Sequence, residues 1–249
     1  MEPYFRNNYA ELWQGDALEL LQSVPDGSVG AVILDPPYSM IPNSFAGKDD
    51  GAAGTSGAPV MLLSETLRHT RRVLRDGGVA ALLCDWRRVP DVSYIVAMHG
   101  LRISTCVAWT RSGAGMGGLF RSSWDPILVL SVGGPVSKDK AAVKNTVHTT
   151  TRGNGEHPYE KPVAIWTHLL QRIPETTVLD PFAGSGASWD AALGCGHKWI
   201  GFEVDDEFCA LMVRRHATRQ RNPVEPEASP LFSAVPQASV AEALPSWLS

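Results

Sequence analysis

Thr177–Gly186, read as Thr-Val-Leu-Asp-Pro-Phe-Ala-Gly-Ser-Gly, joins a short apolar run to a glycine-rich turn and opens onto the helical pattern of Ser188–Leu193. Strand, turn and helix in that order build a parallel α/β sheet, and ligands of such sheets bind just outside the carboxyl ends of the strands. Glycines let a ligand approach the backbone closely. A cofactor is therefore expected on Asp180, Phe182, Ala183, Gly184, Ser185 and Gly186. It is not a dinucleotide, because the third glycine of G-x-G-x-x-G is replaced by Trp189. Nor is it a nucleoside triphosphate, because Ala187 and Ser188 stand where a phosphate loop ends in Gly-Lys-Ser/Thr. Glu203 closes the next strand, seventeen positions after Gly186. A carboxylate there suits the two hydroxyls of a ribose, or else caps the helix that starts near Asp206.

Outward from this stretch, the same alternation continues. Strands are expected at Ala31–Leu34, Val79–Cys84, Thr105–Trp109, Ile127–Val132, Thr177–Leu179 and Trp199–Phe202. Helices are expected at Ala17–Leu21, Val60–Leu74, Val163–Arg172, Ser188–Leu193 and Asp206–Arg219, with Gly77-Gly78 and Gly194–Gly196 as stops. Ser39–Pro59 reads as a mobile lid, and the chain beyond Asn222, with three Glu and no Lys or Arg, as a flexible tail. Arg68, Arg71, Arg72 and Arg75 read as one solvent-facing helix side, and His148 as a loop residue.

A second constellation follows the strand Ala31–Leu34: Asp35, Pro36, Pro37 and Tyr38. Two prolines stiffen the exit from the strand, and the Asp35 carboxylate and Pro36 carbonyl are acceptors beside a flat tyrosine ring. An amino group on an aromatic ring offers two N–H donors and a π-face, which such a turn can receive. A plain Pro-Pro turn is the alternative.

Composition limits the partners. Of 249 residues, 44% are apolar, ample for one large domain. With 22 Lys and Arg against 26 Asp and Glu the net charge is −4, so any nucleic-acid contact must come from a local patch. Between Arg102 and Arg172 nine basic residues face four acidic ones. Within that span, Arg111–Arg121 is a glycine-rich basic loop and Ser137–Arg152 is polar and basic, both suited to phosphate or groove contact. Four scattered cysteines with no C-x-x-C pair point to a reducing cytosol without zinc or disulfides. No apolar run has the length of a membrane span, so a soluble cytoplasmic protein without a metal centre is expected.

Taken together, Asp35-Pro-Pro-Tyr38 and Phe182-Ala-Gly-Ser-Gly186 resemble the paired signatures of S-adenosylmethionine-dependent DNA amino-methyltransferases. The catalytic turn precedes the cofactor loop by 145 positions, the order of the circularly permuted beta class. His157-Pro-Tyr-Glu-Lys161-Pro162 is similar to the H-P-x-x-K-P segment of that class, and Gly15-Asp16-Ala17-Leu18 to its N-terminal segment. The resemblance implies a doubly wound, mostly parallel seven-stranded sheet of the class I methyltransferase, Rossmann-like type. It implies a methyltransferase domain over residues 1–221, with target recognition at about 111–155 and the tail at 222–249. It places Asp35, Pro36, Pro37 and Tyr38 in catalysis, and Asp16, Lys161, Pro162, Asp180, Phe182–Gly186 and Glu203 around S-adenosyl-L-methionine. The implied substrate is double-stranded DNA with a flipped base. Asp rather than Ser at position 35 leans toward adenine-N6, with cytosine-N4 and a non-catalytic DNA-binding protein as alternatives. A homodimer and a separate restriction endonuclease are partners the resemblance allows. One departure is Trp124-Asp125-Pro126, where the class commonly has a His-Glu pair.

Overall fold

The computed structural model describes residues 2–37, 58–113, 119–138, 143–150 and 159–221. Tyr38, nearly all of the expected lid, His157, Pro158 and the expected tail lie outside the described residues.

The strands are β1 (Phe5–Arg6), β2 (Ala10–Gln14), β3 (Val29–Leu34), β4 (Leu74–Leu83), β5 (Arg102–Arg111), β6 (Trp124–Ser131), β7 (Thr146–Thr149), β8 (Thr177–Asp180) and β9 (Lys198–Glu203). The helices are α1 (Ala17–Ser23), α2 (Ala58–Val73), α3 (Val89–Met98), α4 (Val163–Leu170), α5 (Ala187–Gly194) and α6 (Asp206–Arg221). Among the described residues the strands form one sheet in the order β1-β2-β9-β8-β3-β4-β6-β5-β7. Seven run one way; β1 and β6 oppose them.

Every residue of β3, Val-Gly-Ala-Val-Ile-Leu, is buried, as a central parallel strand covered on both faces requires. Side chains alternate between the faces. Val32 and Leu34 join Leu20, Leu21, Leu63, Leu67, Val92 and Ile95 of α1, α2 and α3. Ala31 and Ile33 join Ile165, Trp166, Trp189 and Met212 of α4, α5 and α6. In β9, Trp199 lies on the same face as Gly201 and its indole spreads over that glycine, so a Cβ at Gly201 would sit 2.0 Å from the ring. The indole is held there by stacking on Trp189, 4.8 Å between centroids, and by donating Nε1–H to Ser188 Oγ at 3.0 Å.

The α/β architecture agrees with the expected class, but nine strands replace seven. β2 alternates buried Ala10 and Leu12 with the half-buried Glu11 and Trp13, and β7 is Thr-Val-His-Thr; neither has the apolar run of a central strand. β7 is held by backbone pairing with β5 and by Asn145 Nδ2 donating to the Cys106 carbonyl at 3.2 Å. His148 is therefore a strand residue, within 3.0 Å of Thr110 Oγ1 and 3.2 Å of Ser112 Oγ, not a loop residue. Gly77 and Gly78 lie inside β4 and do not end α2. Arg75 also belongs to β4, and Arg72 turns inward, donating to the Leu21 and Val24 carbonyls at 2.7 Å each. The solvent-face reading fails for Arg72 because the end of α1 offers orphan carbonyls nearby, whereas Arg75 is exposed as expected but on a strand.

Candidate active site

The parallel strands bring their carboxyl ends to one edge. β3 pairs directly with β8 and β8 with β9, so Asp35, Asp180 and Glu203 leave three adjacent strands. The order of the sheet removes the 145-residue separation of the two motifs, since adjacency depends on pairing and not on sequence distance.

The glycine-rich turn is built from Asp180. Its carboxylate, 3% exposed, accepts the Phe182 N–H at 2.9 Å and the Ser188 hydroxyl. The residue thus shapes the loop from beneath. Gly184 and Gly186 adopt left-handed conformations, φ +52° and +83°, closed to most side chains. The buried Ala183 ties the loop to β9 by its N–H to the Phe202 carbonyl at 2.9 Å, while Phe182 packs against the core. Burial pushes the Asp180 carboxyl up to about 7, against the hydrogen bonds from Ser188 and the Phe182 N–H. A carboxyl raised from 3.8 holds its proton more firmly in the fold than in the unfolded chain. The stability contributed by this carboxyl therefore falls as pH rises from about 4 to about 7. Asp180→Asn should flatten that part of the profile relative to wild type, read from urea midpoints across the range. An unchanged slope would exclude Asp180 as its source.

Glu203 holds the turn from the side. Its Oε2 accepts the Gly184 N–H at 2.8 Å and its Oε1 the Asp205 N–H at 2.9 Å. The helix cap is supplied by Asp205, which accepts from Glu207 N–H at 2.8 Å, so Glu203 is not the cap. Asp16 does cap α1, accepting the Leu18 and Glu19 N–H groups at 2.8 and 3.2 Å. Gly15 N–H donates to the Glu203 carbonyl at 2.9 Å, bringing Asp16 to the same edge.

Asp35 lies at the mouth of β3, with Pro36 buried behind it and Pro37 exposed. Its Oδ2 is 2.7 Å from Lys161 Nζ, the two side chains being 21% and 9% exposed. Lys161 Nζ also donates to the Tyr159 carbonyl at 3.1 Å. Pro162 is the N-cap of α4, whose first residue is Val163 as expected. Two contributors have no motif of their own in the sequence. Arg215 of α6 donates to both oxygens of Glu160, at 2.8 and 3.3 Å, and to the Ser185 carbonyl at 3.2 Å. The Glu160–Arg215 pair is well buried and straps the Tyr159–Pro162 segment to the glycine-rich turn. Only the position of Glu160 beside Lys161 hinted at it.

Further along the edge, the β5–β6 hairpin rises from Arg111 and Asp125, which form an ion pair across its base. The Arg111 guanidinium lies 4.9 Å from the Trp109 ring centroid. Asp125, where the resembling class has His-Glu, thus anchors the hairpin. Cys84 N–H donates to the Pro126 carbonyl at 3.2 Å, joining the hairpin to β4 beside β3.

A mostly parallel sheet with helices on both faces, a glycine-rich turn after one strand and a carboxylate closing the next make up the fold of the class I S-adenosylmethionine-dependent methyltransferases. Solved structures share the fold. The M1.HpyAVI complex with S-adenosylmethionine superposes with a TM-score of 0.65 at 18% identity, covering 83% of this chain and 98% of that one. The cytosine-N4-specific PvuII DNA methyltransferase gives 0.69 at 18% identity, covering 86% and 88%. The DNA adenine methyltransferase YhdJ of Escherichia coli (strain K12) is 26% identical over 254 residues, covering 85% of this chain and 84% of its own length. The model of the N6 and N4 DNA methylases matches residues 29–214, and the chain belongs to that DNA methylase family.

The cofactor of this fold and family is S-adenosylmethionine, and the residues present fit it. Each Glu203 oxygen accepts one backbone N–H and keeps a lone pair for a ribose hydroxyl. The left-handed Gly184 and Gly186 offer backbone without side chains beside it. Among the described residues no helix is long and apolar enough to cross a membrane.

Proposed function

We propose that the chain transfers a methyl group to the exocyclic N6 amine of an adenine flipped out of double-stranded DNA. The observation that carries this is Asp35: a carboxylate at the carboxyl end of β3, next to the cofactor turn on β8, with its Oδ2 held by Lys161. S-adenosylmethionine, when bound, supplies a methyl on a sulfonium, and the carbon–sulfur electron pair returns to sulfur as the methyl leaves. The chain supplies alignment. Asp35 Oδ1 and the Pro36 carbonyl accept the two amine hydrogens, which draws the nitrogen lone pair out of the ring and toward the methyl. The new N–CH3 bond leaves a positive nitrogen beside Asp35, and its proton passes to solvent along that carboxylate. Tyr38, which follows the turn, stacks on the base in this reading. Asp16, Pro162, Ser185, Glu203 and the glycines hold the cofactor, and Asp180, Phe182 and Ala183 set the shape of its loop.

DNA approaches the β5–β6 hairpin in this reading. Leu119 and Phe120 at its tip are 92% and 86% exposed, and Arg121 follows them. Large apolar side chains beside a cation suit insertion where a base has left the stack, with the cation on phosphate. Stacking contacts of this kind contribute about 1–3 kcal/mol each. The double substitution Leu119→Ala, Phe120→Ala should raise the DNA KM by about tenfold, with cofactor affinity and unfolding temperature unchanged. An unchanged KM would remove the hairpin tip from the interface.

Adenine is favoured by Asp at position 35 and by the name of the relative YhdJ. Cytosine-N4 is the second reading, favoured by the fold shared with the PvuII enzyme. Incubation with labelled S-adenosylmethionine and mixed-sequence duplex, followed by mass identification of nucleosides, separates them. N6-methyladenine supports the proposal and N4-methylcytosine replaces it. Cofactor binding with no methylated base would leave a DNA-binding protein. The cysteines Cys84, Cys106, Cys195 and Cys209 are all free thiols, as a cytoplasmic modification enzyme would carry, with a second copy or a restriction endonuclease as its protein partners.

A further inference from the structure

The contact between Lys161 and Asp35 has a use that neither the motif nor the fold assigns. By resemblance Lys161 belongs to the segment that leads to the cofactor, yet its ammonium points across to the methyl-acceptor side and meets Asp35 Oδ2 at 2.7 Å. We infer that Lys161 is the positioning residue of the acceptor site: it fixes the plane of the Asp35 carboxylate so that Oδ1 faces the incoming amine. This rests on the reading of Asp35 as the amine acceptor.

Three observations carry it. The terminal torsion of an aspartate is broad and roughly two-fold, so a lone carboxylate at the end of a strand does not choose which oxygen it presents. Engagement of Oδ2 removes that freedom and leaves Oδ1 as the oxygen presented to the acceptor side. The ammonium is itself held. Its side chain is 9% exposed, Nζ donates to the Tyr159 carbonyl at 3.1 Å, and Pro162 restricts the backbone of Lys161 to extended conformations. Finally, the segment that carries Lys161 is anchored by the Glu160–Arg215 pair to the Ser185 carbonyl of the cofactor turn. The lysine therefore spans from the cofactor loop to the acceptor carboxylate, and it offsets the desolvation of a carboxylate that has lost most of its water. Small misplacements of an aligned group cost about a hundredfold in rate.

The test compares Lys161→Met and Lys161→Arg in the full chain. Single-turnover methyl transfer at saturating S-adenosylmethionine and DNA should fall about a hundredfold in the Met variant, while the cofactor Kd stays within about threefold of wild type. The Arg variant, which keeps the charge, should recover most of the rate. Adding Lys161→Met to Asp35→Asn should cost little more than Asp35→Asn alone, since both changes act on one carboxylate. A Met variant with wild-type rate, or one whose cofactor Kd rises tenfold or more at unchanged saturated rate, overturns the inference; the latter returns Lys161 to the cofactor. If Lys161→Met does not fold, Lys161→Gln, which also removes the charge, carries the same rate and affinity comparison, and a wild-type rate or a Kd rise without a rate loss overturns the inference there too. If wild type methylates no base, the proposed function fails, and the cofactor Kd of these variants still decides which side Lys161 serves.

Discussion

Asp35→Ala is expected to lower the rate of methyl transfer at saturating cofactor and DNA by about 10³-fold or more, the scale seen when one preorganised electrostatic partner of a transition state is removed. The reasoning is geometric. An aromatic amine is a poor nucleophile while its lone pair is delocalised, and Asp35 is the carboxylate at the carboxyl end of β3, beside the cofactor turn, with its Oδ2 fixed by Lys161. Asp180 is buried beneath the loop, and the Glu203 carboxylate, one strand further from β3, is turned to the Gly184 and Asp205 N–H groups. Neither can take over. Because alanine also leaves Lys161 facing a methyl group, Asp35→Asn belongs beside it: the amide keeps the volume but turns an N–H toward either the lysine or the amine. Both variants should retain cofactor affinity within about threefold, because the cradle on β8 and β9 is untouched, a separation expected of an interaction made chiefly in the transition state. Stopped reactions with labelled cofactor and a binding titration measure the two quantities. A rate within tenfold of wild type would show that another group receives the amine.

Gly201→Ala is the largest stability change expected. The added methyl would lie 2.0 and 2.2 Å from two carbons of the Trp199 ring, which is fully buried. That ring cannot slide aside freely. It is stacked on Trp189 at an interplanar angle of 8° and hydrogen-bonded to Ser188, whose hydroxyl in turn donates to Asp180. Overpacking a rigid core site costs about 3 kcal/mol at the upper end of its usual range. For a domain of this size that lowers the unfolding temperature by about 10 °C. Cofactor affinity should fall with it, since displacement of Trp199 reaches the glycine-rich turn through Ser188. Denaturant titration of the variant checks the first effect and cofactor binding the second. A loss below about 1 kcal/mol would mean that β9 yields where the packing says it cannot.

Much of the architecture was legible because local chemistry and tertiary demand agree. β3, β8 and β9 read as strands since a parallel strand covered on both faces must be apolar throughout, and Val-Gly-Ala-Val-Ile-Leu is. The glycine-rich turn was legible because Gly184 and Gly186 stand where left-handed backbone is needed. β1, β2, β7 and α3 were not. β2 and β7 carry short alternating patterns on the outer parts of the sheet, where backbone pairing with an existing strand does the work that side chains do at its centre.

By itself the sequence determined the class of fold, the two loops and the chemistry each can hold, since these depend on residue type and short spacing. The tertiary structure alone decided which groups meet: that β3 lies against β8, that Lys161 faces Asp35, that Arg215 straps Glu160 to the cofactor turn, and that Glu203 holds Gly184. Those contacts join residues tens to more than a hundred positions apart. Strand order and helix docking set them, and a linear pattern of residues encodes neither.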